Sequence, residues 1–316
     1  MITSLFKNDI FSYLLASIIG VVLWGIAYFE VILDISISIN IANQEFFFSR
    51  QTAILFSFFV TLFGATLLNY KLKKYLFSYE PTNLFLLFYI LIASLGLRSS
   101  NIISYSLVSF LLVLVVNYLF YFIENKKQAD QVFNSSFIIG LLIFQNLSFV
   151  ILIPLLLLNL GAVKRVSLKE LALIFIGFLL PTLFVIFFTI LTENLEILDS
   201  LFRLEINFPK IPWKFGLYFL ALIFISIRGY RLVIIKRTGI DINIIRLTKN
   251  MFVFFIAMTI IIGLSLFSFP KEYVAFIFAI PLSIFLADFF VNSAFRFREL
   301  IFLIVILFPF LIRFLN

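Results

Sequence analysis

Apolar residues dominate this chain in long runs, and short charged stretches separate one run from the next. Many runs approach the roughly 20 residues that one membrane-spanning helix needs. The pattern predicts an all-α fold: a polytopic transmembrane helical bundle of about eleven membrane segments, forming a single integral membrane domain over residues 1–316. The predicted segments are residues 10–29, 52–70, 82–97, 102–123, 131–145, 147–163, 171–191, 215–227, 251–269, 273–295 and 300–312.

The longest uncharged stretch runs from Gln131 to Val163 and is basic on both flanks. Lysine and arginine collect on the cytoplasmic side of short loops, so a single crossing would place one basic flank outside. Two short helices that turn near Gln145 and Asn146 keep both flanks inside. We therefore predict a paired-helix hairpin at 131–163. The flanking basic residues are Lys126 and Lys127 before it and Lys164, Arg165 and Lys169 after it.

The hairpin fixes the predicted orientation of every later segment. With the N-terminus in the cytoplasm, most of the 24 lysines and arginines lie in inner loops. The basic loop at 228–249 is then cytoplasmic, where it faces anionic lipid headgroups or a partner. A single crossing at 131–163 would turn that loop outward, against the charge rule.

Two predicted outer loops carry a pattern of their own. Residues 35–41 alternate apolar and polar side chains with a period of two, as a half-buried strand or an interfacial ribbon does. Residues 192–214 mix carboxylates with leucines, which predicts a short amphipathic helix on the membrane surface.

Composition supports the membrane assignment and narrows the chemistry. The chain is 63% hydrophobic and 13% charged, with a mean hydropathy of +1.17, whereas soluble domains are about 25% charged. Cysteine and histidine are absent, which excludes thiolate nucleophiles and cysteine or histidine metal sites. We predict no metal and no cofactor. Because positive-inside bias accounts for the net charge of +8, the predicted partners are membrane lipids and membrane-protein subunits, with no nucleic acid.

Asp288 is the one acidic residue that the prediction places well inside a membrane segment. A carboxylate in hydrocarbon costs about 2.5–3.5 kcal/mol on insertion scales, so Asp288 should face the bundle interior or a basic partner. One interpretation is a proton or cation relay, or a carboxylate that orients a substrate. The other is a structural residue paired with Arg228 or with Asn292.

Three further charged residues are candidates at the predicted outer face. Glu30 and Asp34 follow the first segment, where a carboxylate can serve as a general base or hold a divalent cation against a pyrophosphate. Arg98 lies in a tight outer turn and is a candidate phosphate contact. The structural interpretations are an acidic boundary for Glu30 and Asp34 and a lipid headgroup contact for Arg98.

The hairpin also carries polar residues. They are either contacts between helices or part of a binding site at midplane depth. Proline within three other segments predicts kinks. The hairpin residues are Asn134, Ser135, Ser136, Gln145, Asn146, Ser148, Pro154 and Asn159, and the prolines are Pro181, Pro281 and Pro309.

Several apolar stretches resemble an uncharacterised family of polytopic inner-membrane proteins from Bacteroidota. This resemblance implies a location and a fold but no activity. The stretches are 120–127, 132–142, 153–158, 167–171 and 177–181, together with the opening residues 1–7.

The layout is also loosely similar to that of membrane glycosyltransferases that use polyprenyl-phosphate sugars. Glu30 and Asp34 after the first helix, and the paired short helices at 131–163 before a basic turn, carry this resemblance. The chain departs from that family in its first outer loop, which is short and has no paired-acid motif.

The sequence leaves three functions open. We predict a non-enzymatic component of a bacterial envelope assembly in the cytoplasmic (inner) membrane. The first alternative is a polyprenyl-phosphate-linked glycan transferase or flippase that uses Glu30, Asp34 and Arg98 at the periplasmic face. The second is a transporter that uses Asp288. These patterns do not decide whether the chain is an enzyme.

Overall fold

The structure is a computed structural model. It describes residue 6 and the ranges 10–30, 37–41, 44–74, 82–97, 99, 101–124, 128–143, 145, 147–163, 166–191, 213–236, 242–265, 271–294 and 296–315.

The described residues form eleven α-helices, and each overlaps one predicted segment. The all-α prediction is therefore confirmed. The helices are α1 Ile10–Glu30, α2 Arg50–Lys74, α3 Leu84–Ser94, α4 Ile102–Glu124, α5 Gln128–Ile143, α6 Leu152–Val163, α7 Leu168–Leu191, α8 Trp213–Lys236, α9 Ile242–Ser265, α10 Lys271–Asn292 and α11 Arg298–Leu315, with a 3₁₀ helix at Leu147–Ile151.

Six of the described helices, α1, α2, α4, α7, α8 and α10, are long and apolar enough to span a membrane, and the chain is a multi-pass membrane protein. The predicted count of about eleven membrane segments agrees less well with the structure, because some of the helices are too short to cross a membrane alone. The 11 residues of α3 extend about 16 Å, whereas the hydrocarbon core is about 30 Å thick.

A small β-ribbon joins α1 to α2. Strand β1, Ile37–Ile41, pairs antiparallel with β2, Gln44–Phe48. The two-residue alternation at 35–41 predicted such a ribbon, and β1 confirms it. The amphipathic helix predicted within 192–214 lies almost wholly outside the described residues.

The chain divides into two compact units. The first contains residues 1–110, 210–248 and 270–316, and the second contains residues 111–209 and 249–269. Helices α4 and α9 each contribute to both. The prediction of one integral membrane domain stays a prediction.

Helices α3 and α10 form the centre of the first unit. Every residue of α3 is buried, and α10 is buried over almost its whole length. Phe88 of α3 stacks on Phe290 of α10 with ring centroids 5.3 Å apart, and Phe302 of α11 meets both rings edge-on. Other helices, and not lipid, therefore surround α3 and α10.

In the second unit α5 packs along α7 with the two helices running in the same direction. The Ser136 hydroxyl of α5 lies 3.4 Å from the carbonyl oxygen of Leu173. One turn further along α5, a Cβ added to Gly140 would lie 2.7 Å from the carbonyl oxygen of Phe178. A single helix over 131–163 would bring α7 back in the opposite direction. The parallel packing, with the helix break between α5 and the 3₁₀ helix, confirms the hairpin.

The central helices of the first unit, α3 and α10, are antiparallel. Gly96, just after α3, lies against Phe276 near the start of α10, whereas Phe88 near the start of α3 stacks on Phe290 near the end of α10.

The loop predicted at 228–249 is wrong in its extent. Helix α8 continues to Lys236 and α9 begins at Ile242, so only 237–241 separates them. The isoleucines and valine among the basic residues continue the apolar pattern of each helix, and lysine and arginine are good helix formers. Counting charges therefore does not locate the helix boundary.

Candidate functional site

The structure describes one of the four predicted site residues in full. Asp288 of α10 is completely buried, in the protein interior as the cost of burying its charge predicts. Glu30 is the last residue of α1, but its side chain lies outside the description, as do Asp34 and Arg98 entirely. The roles of these four residues stay predictions.

Helices α8 and α10 both contribute backbone groups near Asp288. Asn292 donates its side-chain amide to the main-chain oxygen of Asp288 at 3.0 Å, so these two residues do contact each other as predicted, through the backbone. One turn earlier, a Cβ on Gly229 of α8 would lie only 2.1 Å from the carbonyl oxygen of Phe285. The α8 backbone therefore packs directly on α10 beside Asp288.

Polar side chains gather where α3 ends, α4 begins and α10 begins. The Tyr105 hydroxyl lies within hydrogen-bond reach of Asn101 and Ser99 and feels the charge of Glu272. Its ring meets that of Tyr273 edge-on, with centroids 4.8 Å apart. Polar groups of α4 and α10 therefore meet at this end of the first unit, and the role of Arg98 as a phosphate contact stays a prediction.

A second polar network, which the sequence did not predict, lies at the opposite end of α3. The Asn83 side-chain oxygen accepts hydrogen bonds from the Asn69 amide at 2.9 Å and from the Lys73 ammonium. The Asn83 amide donates to the Ser12 hydroxyl at 2.6 Å. One asparagine thus connects α1, α2 and the start of α3.

The backbone before α1 fixes this network in place. Phe6 is buried. Its carbonyl oxygen accepts hydrogen bonds from the Thr82 hydroxyl at 2.7 Å and from the main-chain N–H of Asn83 at 3.0 Å. The Phe6 ring lies 5.9 Å from that of Phe302 in α11. Asn83 is therefore held on both its backbone and its side chain.

Further buried polar groups lie on α1 and α2, two of the helices that this network joins. The buried atoms without a hydrogen-bond partner among the described residues include the Trp24 indole nitrogen, the Ser57 and Thr61 hydroxyls, and the Asn69 side-chain oxygen. We call the network and these groups the polar seam. Its members are Ser12, Trp24, Ser57, Thr61, Asn69, Lys73 and Asn83.

The Ser57 and Thr61 hydroxyls, which have no hydrogen-bond partner, differ from other hydroxyls on α1 and α2. Ser17 of α1 donates to the Tyr13 carbonyl oxygen at 3.0 Å, and Thr66 of α2 donates to that of Phe63 at 2.8 Å. Such bonds to the preceding turn are available to any helical serine or threonine. Ser57 and Thr61 do not make them, so their hydroxyls are directed to something else.

The seam follows the antiparallel pairing of α1 and α2. Trp24 lies opposite Phe58 with ring centroids 5.8 Å apart, and Ser12 and Asn69 meet through Asn83 at the other end. Between these points Gly20 packs against α2 and α3: an added Cβ would lie 3.1 Å from Ile90 and 3.4 Å from Phe58. Gly20 therefore packs closely against its neighbours at a point between the two ends of the seam.

The second unit holds a concave feature of another kind. A groove of about 530 Å³ between α6 and α7 is lined by apolar side chains, including Leu157, Leu171 and Phe175. Among the described residues, no polar side chain of the hairpin lines this groove. Ser135 and Ser136 bond to the preceding turn of α5, and the Asn159 amide donates to the Leu155 carbonyl oxygen.

Sequence inspection missed the seam because its parts lie far apart in the chain. Ser57, Thr61 and Asn69 recur at spacings of four and eight residues, which puts them on one face of α2. That spacing was a usable signal for one helix. The pairing of this face with Asn83 and Ser12 is a tertiary contact that no local pattern contains.

The geometry defines a multi-pass helical membrane protein whose first unit encloses a polar seam. None of the family models, curated proteins or solved structures with which the chain was compared matches it.

Proposed function

We propose that this protein conducts a small polar solute along the polar seam, across the cytoplasmic membrane of a bacterium. The observation that carries the proposal is the set of buried atoms without a partner at Trp24, Ser57, Thr61 and Asn69. Leaving a buried donor or acceptor unsatisfied costs about 1–3 kcal/mol. Bound water or a passing solute offsets that cost.

The position of these groups supports conduction over simple helix contact. Ionisable residues inside a membrane bundle mark substrate and ion pathways, whereas hydroxyls and amides there also serve to hydrogen-bond one helix to another. Hydroxyls that only join helices bond across the interface or to their own backbone, and Ser57 and Thr61 do neither within the described residues. Because Gly20 packs closely against its neighbours, we propose that α1 and α2 separate there during passage.

Cysteine accessibility tests the proposal directly, because the chain has no native cysteine. Water-soluble methanethiosulfonates react only with thiols that ionise in water. We expect Ser57→Cys and Thr61→Cys to be labelled in intact membranes. The matched control is Phe59→Cys, on the same helix with an exposed side chain that faces lipid, and it should stay unlabelled. If Ser57→Cys and Thr61→Cys are labelled no more than Phe59→Cys, the proposal is contradicted.

An envelope-assembly component is the second candidate, favoured by α7. This helix packs on α5 and leaves large rings such as Phe175, Phe184 and Phe187 exposed on its other faces. Either lipid or a partner subunit can cover them. Purification in mild detergent, with identification of co-eluting proteins, separates the two. If the wild-type protein elutes alone, this candidate fails.

A further inference from the structure

We infer that α8 binds an anionic phospholipid on its lipid-facing side, through the guanidinium groups of Arg228 and Arg231. The lipid phosphate lies between the two guanidiniums, and an acyl chain follows the apolar surface of the same helix. Neither arginine belongs to the polar seam. The site is therefore additional to the proposed function and does not depend on it.

One side of α8 is exposed along most of the helix. Its residues recur at spacings of three and four, which puts them in one stripe on the helix surface. The opposite side, which includes Phe219 and Gly229, packs on α10. The two arginines thus continue an apolar, lipid-facing surface. The exposed stripe consists of Leu217, Leu220, Phe224, Arg228, Arg231 and Ile235.

Both arginines lie within the part of α8 that is apolar enough to span a membrane. That part is Phe215–Ile235, and Arg228 precedes its end by about 10 Å along the helix axis. A charged side chain facing lipid at this depth is costly unless its head reaches the interface or meets an opposite charge. The long arginine stem directs the guanidinium toward the lipid headgroups. Lipid phosphate is therefore the anion nearest to this pair.

The charges of this surface favour an anionic lipid. Helix α8 contains no acidic residue, so its own sequence supplies no carboxylate to either arginine. Arg228 has another interaction in the structure, but a guanidinium offers five N–H donors and can bind a phosphate as well. Two guanidiniums one turn apart can each bind phosphate oxygens in a bidentate manner. A zwitterionic headgroup brings a cation to this surface, whereas an anionic headgroup brings none.

The same turn of α8 connects the lipid site to the packing of the first unit. Between the two arginines, Gly229 is so close to α10 that an added Cβ would lie 2.1 Å from the Phe285 carbonyl oxygen. The Tyr230 ring meets that of Phe285 edge-on, with centroids 5.8 Å apart. A lipid held on one side of this turn keeps its other side against α10. Since a ligand that binds only the folded state stabilises it, the lipid should stabilise this helix pair.

Lipid titration tests the inference. Purified full-length protein in detergent is titrated with phosphatidylglycerol or with phosphatidylcholine of the same chain length, and native mass spectrometry counts the bound lipids. We expect the wild type to prefer phosphatidylglycerol. Each arginine near an anionic lipid adds about a fivefold factor to binding. Arg231→Gln should therefore weaken the apparent affinity for phosphatidylglycerol about fivefold, and the double variant with Arg228→Gln by about tenfold or more.

Lys169→Gln is the matched control, because it removes an exposed cation from the start of α7 and should leave the affinity unchanged. The inference is overturned if the wild type binds both lipids equally, or if the double variant binds phosphatidylglycerol as the wild type does. It is also overturned if Lys169→Gln weakens binding as much as the double variant, since binding would then follow net charge alone.

Thermal unfolding distinguishes a lipid from free phosphate. Phosphatidylglycerol should raise the unfolding midpoint of the wild type and not that of the double variant. Inorganic phosphate at the same concentration should leave both midpoints unchanged, because it lacks the acyl chain that covers Leu220 and Phe224. If inorganic phosphate raises the wild-type midpoint as much as phosphatidylglycerol does, the site takes free phosphate and the lipid inference fails.

Discussion

Asn83 shows how much a single residue does in this fold. It joins Asn69, Lys73 and Ser12 through one side chain and anchors the segment before α1 through its backbone. From the sequence it was only the second residue of the segment predicted at 82–97. Asp288 is the opposite case, because a carboxylate in an apolar run was visible at once and its burial followed from the cost of the charge.

Replacing Asn83 should destabilise the first unit. Asn83→Leu removes the acceptor of the buried Asn69 amide and of the Lys73 ammonium, at about 1–3 kcal/mol for the buried amide. We expect a clear fall in the midpoint of thermal unfolding in detergent, followed by tryptophan fluorescence. The control Gln51→Leu changes an exposed amide on α2, the helix that carries Asn69 and Lys73, and should leave the midpoint unchanged. Equal midpoints for both variants would show that the network does not stabilise the fold.

At the scale of elements, the sequence predicted which segments are helical far better than how they pair. Hydrophobic runs identified each described helix, and the two-residue alternation identified β1. The predicted boundary between α8 and α9 is wrong because arginine and lysine, which the charge rule assigns to loops, are also good helix formers. The pairing of α5 with α7 depends on Gly140 and Gly177, which look like ordinary lone glycines until both helices are in place.

Gly177 sets the distance between α5 and α7. An added Cβ would lie 2.2 Å from the Ser136 hydroxyl and 2.8 Å from the Phe133 carbonyl oxygen. The hydroxyl can rotate away but the backbone oxygen cannot, so the helices must separate. Gly177→Ala should destabilise the protein by about 1–3 kcal/mol, as overpacking does.

Gly161 provides the matched control for that substitution. It lies in α6, and an added Cβ meets nothing within 4 Å. Alanine is favoured over glycine in a helix by about 1 kcal/mol, so Gly161→Ala should be neutral or stabilising. Chemical or thermal unfolding of both variants under the same detergent conditions gives the comparison. A Gly177→Ala protein as stable as Gly161→Ala would mean that α5 and α7 do not pack as described.

At the scale of the whole molecule, the direction of one helix pair constrains the topology. The parallel pair α5 and α7 requires the chain to turn back within 131–163. This pairing holds whichever face of the membrane is cytoplasmic. The charge rule alone assigns the faces, and the two arguments are therefore independent.

Two single cysteines distinguish the turn from the orientation. Ser49 lies just before α2, and Thr238 lies between α8 and α9 in the sequence. With the hairpin, an odd number of crossings separates them, so Ser49→Cys and Thr238→Cys must react from opposite sides. With one crossing at 131–163 they would react from the same side. We expect an impermeant thiol reagent to label Ser49→Cys in intact cells and Thr238→Cys only after the membrane is opened. If Thr238→Cys reacts in intact cells and Ser49→Cys only after the membrane is opened, the hairpin stands but the orientation of the protein in the membrane is inverted. Lys73 would then lie at the outer end of the seam.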